Sequence, residues 1–248
     1  MSARTVWITG ASSGIGRALA CELAARGNHV IASARRRDEL DRLAAEQPGV
    51  VGWPLDITDH GAVVAAVTAI EAAHGPIDIA VLAAGTHAPV SARNFRAAEL
   101  QQLCDLNLFG TANCLEALLG PMLARRRGKI AVLGSLAAYR GLPTAAYYAA
   151  SKAALTAMVE ALKFDCDRSG VALQLVQPGF VDTPLTRRNR FPMPFLLSAE
   201  EAARRLADGL DQPAFEIVFP RRFGWILKLL RLLPYRLYFP IVARTTRV

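Results

Sequence analysis

Short apolar runs recur along the chain, fenced by Gly, Pro, Asn or Asp, with stretches of helical period between them. Residues 5–9, 29–34, 50–55, 77–82, 129–133, 171–176 and 215–219 read as seven strands. Helices are expected up to about residue 26, from Asp38-Glu39 onward, up to about residue 74, and over 97–125, 147–168 and 198–210. Asp38 and Glu39 complement a helix dipole, and Thr58 or Asp59 is placed to cap the third of these helices. This alternation predicts an α/β fold, a single doubly wound parallel sheet of about seven strands with helices on both faces. In such a sheet the ligand sits at the carboxyl ends of the strands.

The first strand runs into Gly10-Ala11-Ser12-Ser13-Gly14-Ile15-Gly16 and then a helix. Gly10 permits a tight turn, Gly14 lets the backbone approach a pyrophosphate, and Gly16 lets the helix pack close on the strand. The helix N-terminus offers unpaired N–H groups to phosphate. A strand before and a helix after are the context that makes a glycine triplet a dinucleotide site. At the end of the second strand, NAD binders carry an acid for the ribose hydroxyls, whereas arginine accommodates a 2′-phosphate. Here Ala34 and Arg35 hold that end, Arg36 and Arg37 come next, and the first acid is Asp38. The pattern favours NADP over NAD. After the fourth strand, Ala84-Gly85 again allows a cofactor close approach.

Tyr148 and Lys152 are four apart on one face of an Ala-rich helix, and the strand ending at Leu133 presents Ser135 towards that face. A hydroxyl, a phenol and an ammonium at one point make a proton-transfer site. A free tyrosine has a pKa of about 10, and a cation one turn away is expected to lower it towards neutrality.

Tyr148-xxx-Lys152 with Ser135 upstream, and Thr9-Gly10-xxx-Gly14-Ile15-Gly16, resemble the signatures of the short-chain dehydrogenase/reductase family. The resemblance runs from residue 5 to about 219 through six motifs in order. It implies a Rossmann-type sheet and further roles. Asp56, followed by Ile57, would meet the adenine edge. Asn107, in Asn107-Leu108-Phe109-Gly110, would hold a water that passes protons to the lysine, its carbonyl freed by a local helix distortion. Pro178-Gly179-x-Val181-x-Thr183 would lie along the nicotinamide, the threonine near its carboxamide. Residues 184–197 would form the lid over the substrate. The segment mixes Arg187, Arg188 and Arg190 with Phe191, Met193, Phe195, Leu196 and Leu197. That mixture fits an apolar or amphipathic substrate, with or without an anionic group, and equally a loop packed against a neighbouring subunit. The chain has Leu82-Ala83-Ala84-Gly85 where the family usually has Asn-Asn-Ala-Gly, so a side chain that ties the sheet is expected to be missing.

Composition changes this picture at one end only. A hydrophobic content of 52% and a mean hydropathy of +0.24 arise from Ala-rich helices and buried parallel strands. The start leads straight into a strand and reads as having no secretion leader. Cys21, Cys104, Cys114 and Cys166 fall in helices without metal-ligand spacing; they read as reduced thiols in a cytoplasmic protein with no metal site. The net charge is +8, yet residues 1–220 hold 22 basic against 21 acidic residues, and 221–248 hold seven basic and no acidic ones. The chain thus divides into a catalytic domain, 1–220, and a basic, apolar extension, 221–248. No basic face in the body suits nucleic acid. From Phe223 to Leu233 a helix is expected whose apolar residues cover over half its circumference, with Lys228 and Arg231 on the remaining stripe. Pro234 and Pro240 interrupt the apolar residues beyond Leu233, so the segment is too short to span a bilayer. It can lie in an anionic membrane surface, pack on a second subunit or cover the substrate cleft.

The reading is an NADP-preferring oxidoreductase that exchanges a carbonyl and an alcohol, with Asn107, Ser135, Tyr148 and Lys152 as the catalytic set. Ser/His/Asp hydrolysis is disfavoured, because His29, His60, His74 and His87 lack a nucleophile-elbow context. The alternative of another class is a non-catalytic NADP-sensing or membrane-scaffolding protein, which would have no need of all four residues. Dimers or tetramers of the chain are the default that the resemblance implies.

Overall fold

A computed structural model describes residues 3–188 and 193–246. Its seven strands are β1 Thr5–Thr9, β2 His29–Ala34, β3 Val50–Pro54, β4 Ile79–Leu82, β5 Lys129–Leu133, β6 Ala172–Pro178 and β7 Glu216–Phe219. They form one sheet in the order β3-β2-β1-β4-β5-β6-β7, and every pairing is parallel. The chain order reverses between β1 and β4, which opens a crevice at their carboxyl ends.

The strands alternate their side chains between two cores. Val6 and Ile8 of β1 join Val81 and Val176 on one face, beneath α1 (Gly14–Ala25), α2 (Arg37–Glu46) and α7 (Ala199–Leu210). Trp7 joins Ile130 and Leu175 on the other, beneath α3 (His60–His74), α5 (Thr111–Ala124) and α6 (Ala146–Arg168). Burial on both faces is why these strands read as continuous apolar runs. Of the two expected caps for α3, Asp59 is the one used, its Oδ1 accepting from Ala62 N–H at 2.9 Å.

The helix expected over 97–125 is not continuous. It comprises α4 (Ala97–Cys104), a π-helical segment, Asp105–Gly110, and α5. A Cβ on Gly110 would lie 2.8 Å from Ile57 Cγ1, so the backbone there is pressed against the end of the β3 crossover. The wider turn lies where the resemblance implied a helix distortion, at Asn107, although the sequence period alone does not mark it. The extension also differs from expectation. It forms α8 (Arg221–Leu232) and, after Pro234, a second helix, α9 (Tyr235–Thr246), with Pro240 inside it. That proline is the sixth of the helix's twelve residues, where it removes one i→i−4 hydrogen bond without ending the helix.

Candidate active site

The crevice contains a cavity of about 450 Å³. It is lined by Gly10, Ser12, Ser13, Gly14, Ile15 and Gly16, by Arg35 and Arg36, by Asp56 and Ile57, and by Ala84 and Gly85. On the opposite side stand Tyr148 and Lys152, with Pro178, Gly179, Val181 and Thr183. Every residue expected from the sequence to face a cofactor therefore surrounds one space. Ser33, Leu55, Thr86, Leu106, Leu133 and Gly134 also line it without having been expected. They flank the motif residues at strand ends, and their types carry no signal of their own.

The glycine-rich turn is shaped by contacts that exclude a side chain. Gly10 has φ +72°, and a Cβ there would lie 2.7 Å from Ala84 Cα. A Cβ on Gly16 would lie 2.5 Å from the Gly10 carbonyl oxygen. The start of α1 thus packs directly on the turn, and its first N–H groups face the cavity. Such a cradle fits a dinucleotide phosphate. At the end of β2, Arg36 donates from Nη2 to Ser12 Oγ at 2.9 Å, which draws its guanidinium over the turn. Arg35 is exposed, with Nη1 3.9 Å from Asp56 Oδ2. Asp56 also accepts from Thr58 N–H at 3.0 Å.

At Leu82-Ala83-Ala84-Gly85, where a side-chain tie was expected to be missing, the backbone is held to β1 by Thr9. Its Oγ1 accepts from Ala83 N–H at 3.1 Å and Ala84 N–H at 3.3 Å. The polar group is contributed by β1 instead of by the β4 turn.

Ser135 is buried at the end of β5, its N–H donating to Gln177 Oε1 at 2.6 Å and its Oγ accepting from Ala137 N–H at 3.1 Å. Lys152 is 4% exposed; its Nζ donates to Leu133 O at 2.6 Å and lies 5.9 Å from the centre of the Tyr148 ring. Burial pushes the Lys152 ammonium down to about 8. The expected lowering of the Tyr148 phenol by Lys152 is not found. Burial pushes the phenol above its ordinary value, and it is the hydrogen bond with Ser135 that pulls it back. Desolvation of the phenolate is the larger of these two effects.

Asn107 sits in the π-helical segment and is fully buried. Its amide brackets Thr86, accepting from Thr86 N–H at 2.7 Å and donating to Thr86 O at 2.9 Å, and it also donates to Ser151 Oγ at 3.1 Å. Its carbonyl accepts from Thr111 Oγ1 at 2.9 Å. A Cβ on Gly85 would lie 3.2 Å from Asn107 Oδ1 and 3.6 Å from Lys152 Nζ, so both side chains border the same gap.

Two neighbours escaped the sequence reading. His87 is buried and meets the Tyr148 ring edge-on at 5.0 Å. Its place two residues beyond Gly85, at the carboxyl end of β4, was the available signal. Phe223 of α8 stacks on Phe180 at 5.7 Å and meets Phe195 at 5.8 Å, beside Gly179. Of the expected lid, Arg190 and Phe191 lie outside the described residues.

Comparison with known proteins places this geometry. Residues 4–192 match the family model described as short chain dehydrogenase. An uncharacterized oxidoreductase of Myxococcus xanthus is 38% identical over 251 residues, covering 100% of this chain and 99% of that protein. A 3-oxoacyl-[acyl-carrier-protein] reductase, MabA, of Mycobacterium avium is 31% identical over 184 residues, 74% of this chain and 69% of that one. Among solved structures, a short-chain dehydrogenase from Streptomyces avermitilis superposes with a TM-score of 0.84 at 25% identity, covering 99% of this chain and 98% of its own.

Proposed function

This chain belongs to the short-chain dehydrogenase/reductase family of oxidoreductases, and on that premise we propose that it exchanges a carbonyl and an alcohol on an apolar or amphipathic substrate, with NADP as cofactor. The observation that carries the reading is the meeting of Ser135, Tyr148 and Lys152 beside a cavity lined by a glycine cradle and two arginines. The turn from Gly10 to Gly16 would hold the pyrophosphate, with Arg35 and Arg36 at the 2′-phosphate. Asp56 and Ile57 would face the adenine; Ala84, Gly85, Pro178, Gly179, Val181 and Thr183 would face the rest. The cofactor supplies, when bound, the hydride that reduces the carbonyl carbon.

The chain's own residues manage the proton. Tyr148 gives its phenolic proton to the carbonyl oxygen, which Ser135 holds by a hydrogen bond. Lys152 anchors the nicotinamide ribose and, with an ammonium brought down to about 8, returns a proton to the phenol near neutral pH. Asn107 borders the gap beside Lys152 and completes the path. The aromatic cluster of Phe180, Phe195 and Phe223, beside Gly179, favours an apolar substrate. MabA is by its name a reductase of a 3-oxoacyl group, which is in keeping with carbonyl reduction here. A cytoplasmic setting agrees with four free thiols, one of which, Cys114, burial pushes to about 12. Assembly as a homodimer or homotetramer is the family's expectation.

The test is an oxidation screen with NADPH, and NADH in parallel, against aldehydes, ketones and quinones. Turnover that prefers NADPH and disappears in Tyr148→Phe is expected. Tight NADPH binding with no turnover across the panel would instead identify a cofactor-sensing or scaffolding protein.

A further inference from the structure

Helices α8 and α9 bury one narrow stripe and leave the rest in water. On α8, Leu227 packs on Leu136 and Tyr139, while Trp225, Leu229 and Leu232 point the other way and are 67%, 63% and 79% exposed. On α9, Tyr238 and Val242 are buried, whereas Tyr235 and Phe239 stack on each other at 5.6 Å and are 68% and 62% exposed. Single exposed apolar residues are ordinary, but an apolar strip across two consecutive helices marks an interaction surface.

The charge around the strip selects the partner. Arg221, Arg222, Lys228, Arg231, Arg236 and Arg244 lie on these helices, and no acid does. Of these six, only Lys228 has an ion-pair partner among the described residues, Glu216 of β7. A second copy docked across a two-fold axis would set this basic strip against itself, arginine facing arginine. A bilayer with anionic headgroups offers the opposite charge and an apolar interior together. Arginines then reach the headgroups, Trp225 and Tyr235 sit at the interface, and the leucines lie below it. We propose that α8 and α9 form a docking face for an anionic lipid bilayer, lying in its surface. No described helix is long and apolar enough to cross a membrane.

The inner side of the same helix reaches the candidate site. Phe223 stacks on Phe180, which comes directly after Gly179 in the cavity wall. Docking would therefore set this aromatic cluster, which abuts Gly179 of the cavity wall, beside the membrane and supply a substrate dissolved in lipid. That consequence rests on the proposed function; the docking itself does not.

Flotation of the full chain at low salt decides the matter, with phosphatidylcholine vesicles containing phosphatidylglycerol against phosphatidylcholine alone. The chain is expected to float with the anionic vesicles only and to be released by salt. Leu229→Glu and Arg222→Glu alter exposed side chains, so the fold should persist, as circular dichroism would report. Each should weaken vesicle partitioning about fivefold or more: Arg222→Glu removes a basic residue worth about 1 kcal/mol near the surface, and Leu229→Glu puts a carboxylate where an apolar side chain would enter the bilayer. A full chain that stays out of anionic vesicles overturns the proposal, as does equal flotation of wild type and variants. A dimer in light scattering that Leu229→Glu splits, without vesicle binding, would overturn it in favour of a self-interface. Flotation reads no turnover, so its failure and the failure of the catalytic reading are separate results.

Discussion

The carboxyl ends of β1 to β6 and the far edge of the sheet, where α8 lies on β7 and α9 on Arg140 and Gly141, obey opposite rules. At the first, polar groups are buried and tied to backbone or to one another: Ser135 to Gln177, Lys152 to Leu133, Asn107 to Thr86. At the second, apolar groups are exposed, among arginines that no described acid neutralises. A buried polar group without a partner is costly, so the first region is held by chemistry that permits little variation in place. The second has no such constraint inside the molecule. Its constraint lies in what it touches.

The contrast is sharpest between adjacent tyrosines on α6. Tyr147 is fully buried; its hydroxyl accepts from Arg96 N–H at 2.5 Å and donates to Arg96 O at 2.9 Å. Tyr148 faces the cavity. Tyr148→Phe should lower turnover by roughly 10³-fold, the usual scale for losing a general acid, while NADPH binding and stability hardly change. Tyr147→Phe should do the reverse. It leaves two backbone groups unpaired, at about 1–3 kcal/mol in urea unfolding, with turnover little affected. Inactivity of Tyr147→Phe alone would mean that the wrong face of α6 has been assigned to the chemistry.

Lys152 gives the next largest effect, through pH. Its folded value of about 8 lies below the ordinary 10.5, so between those values the unfolded chain binds the extra proton. Stability must then rise with pH over that interval, by up to roughly 3 kcal/mol from this group. Below about pH 8 both states carry the proton, and the full desolvation cost of the buried ammonium opposes folding. In Lys152→Met the rise should be missing, so wild type gains on the variant as pH climbs from 8 to 10.5. Parallel stability curves would refute the burial argument.

Cofactor choice tests the rim of the same region. Arg35→Asp removes a cation and brings a carboxylate towards Asp56, now 3.9 Å from the guanidinium. NADPH binding should weaken by about 2 kcal/mol, with NADH much less affected. Arg36→Ala should also weaken NADPH, because Arg36 is the arginine already drawn onto the turn at Ser12. Tighter binding of NADH than NADPH by the wild type would remove the basis of both expectations.

The features that could be read from the sequence divide along the same line. The glycine turn and the Tyr-Lys pair are local: spacing along one strand-turn-helix or one helix face decides them, and the structure gathers those residues at one cavity. The π-helical segment at Asp105–Gly110 packs on Ile57 and bonds Thr86, both distant in sequence, so no local period announces it and only the family resemblance implied a distortion at Asn107. The direction of the Tyr148 shift depends on burial, which spacing does not report. The bonds of Thr9 to Ala83 and Ala84 arise from the pairing of β1 with β4. In the extension, Pro240 suggested a break where a helix forms, and the bond of Lys228 to Glu216 was invisible in a segment without acids.

The smallest expected effect concerns the joint between the two regions. Arg140 lies just beyond the short turn after Ser135, and its Nη1 donates to the carbonyls of Leu230, Arg231 and Leu233 at 2.9, 3.1 and 2.6 Å. These belong to the last turn of α8 and the residue after it, where carbonyls lack helical partners. The same guanidinium lies 4.6 Å from the Tyr235 ring centre and 3.9 Å from that of Tyr238, whose hydroxyl donates to Gly141 O at 2.6 Å. One planar cation thus closes α8 and seats α9. A lysine keeps the charge but cannot serve three carbonyls and two ring faces from one position. Arg140→Lys should therefore lose most of what Arg140→Ala loses, about 1 kcal/mol. The loss should be local. Hydrogen exchange of amides in 235–242 should quicken while those of α6 keep their protection and soluble-substrate turnover stays near wild type. Equal acceleration in α6 would show that the extension and the catalytic helix open as one unit, and the two regions would then differ in surface chemistry but not in stability.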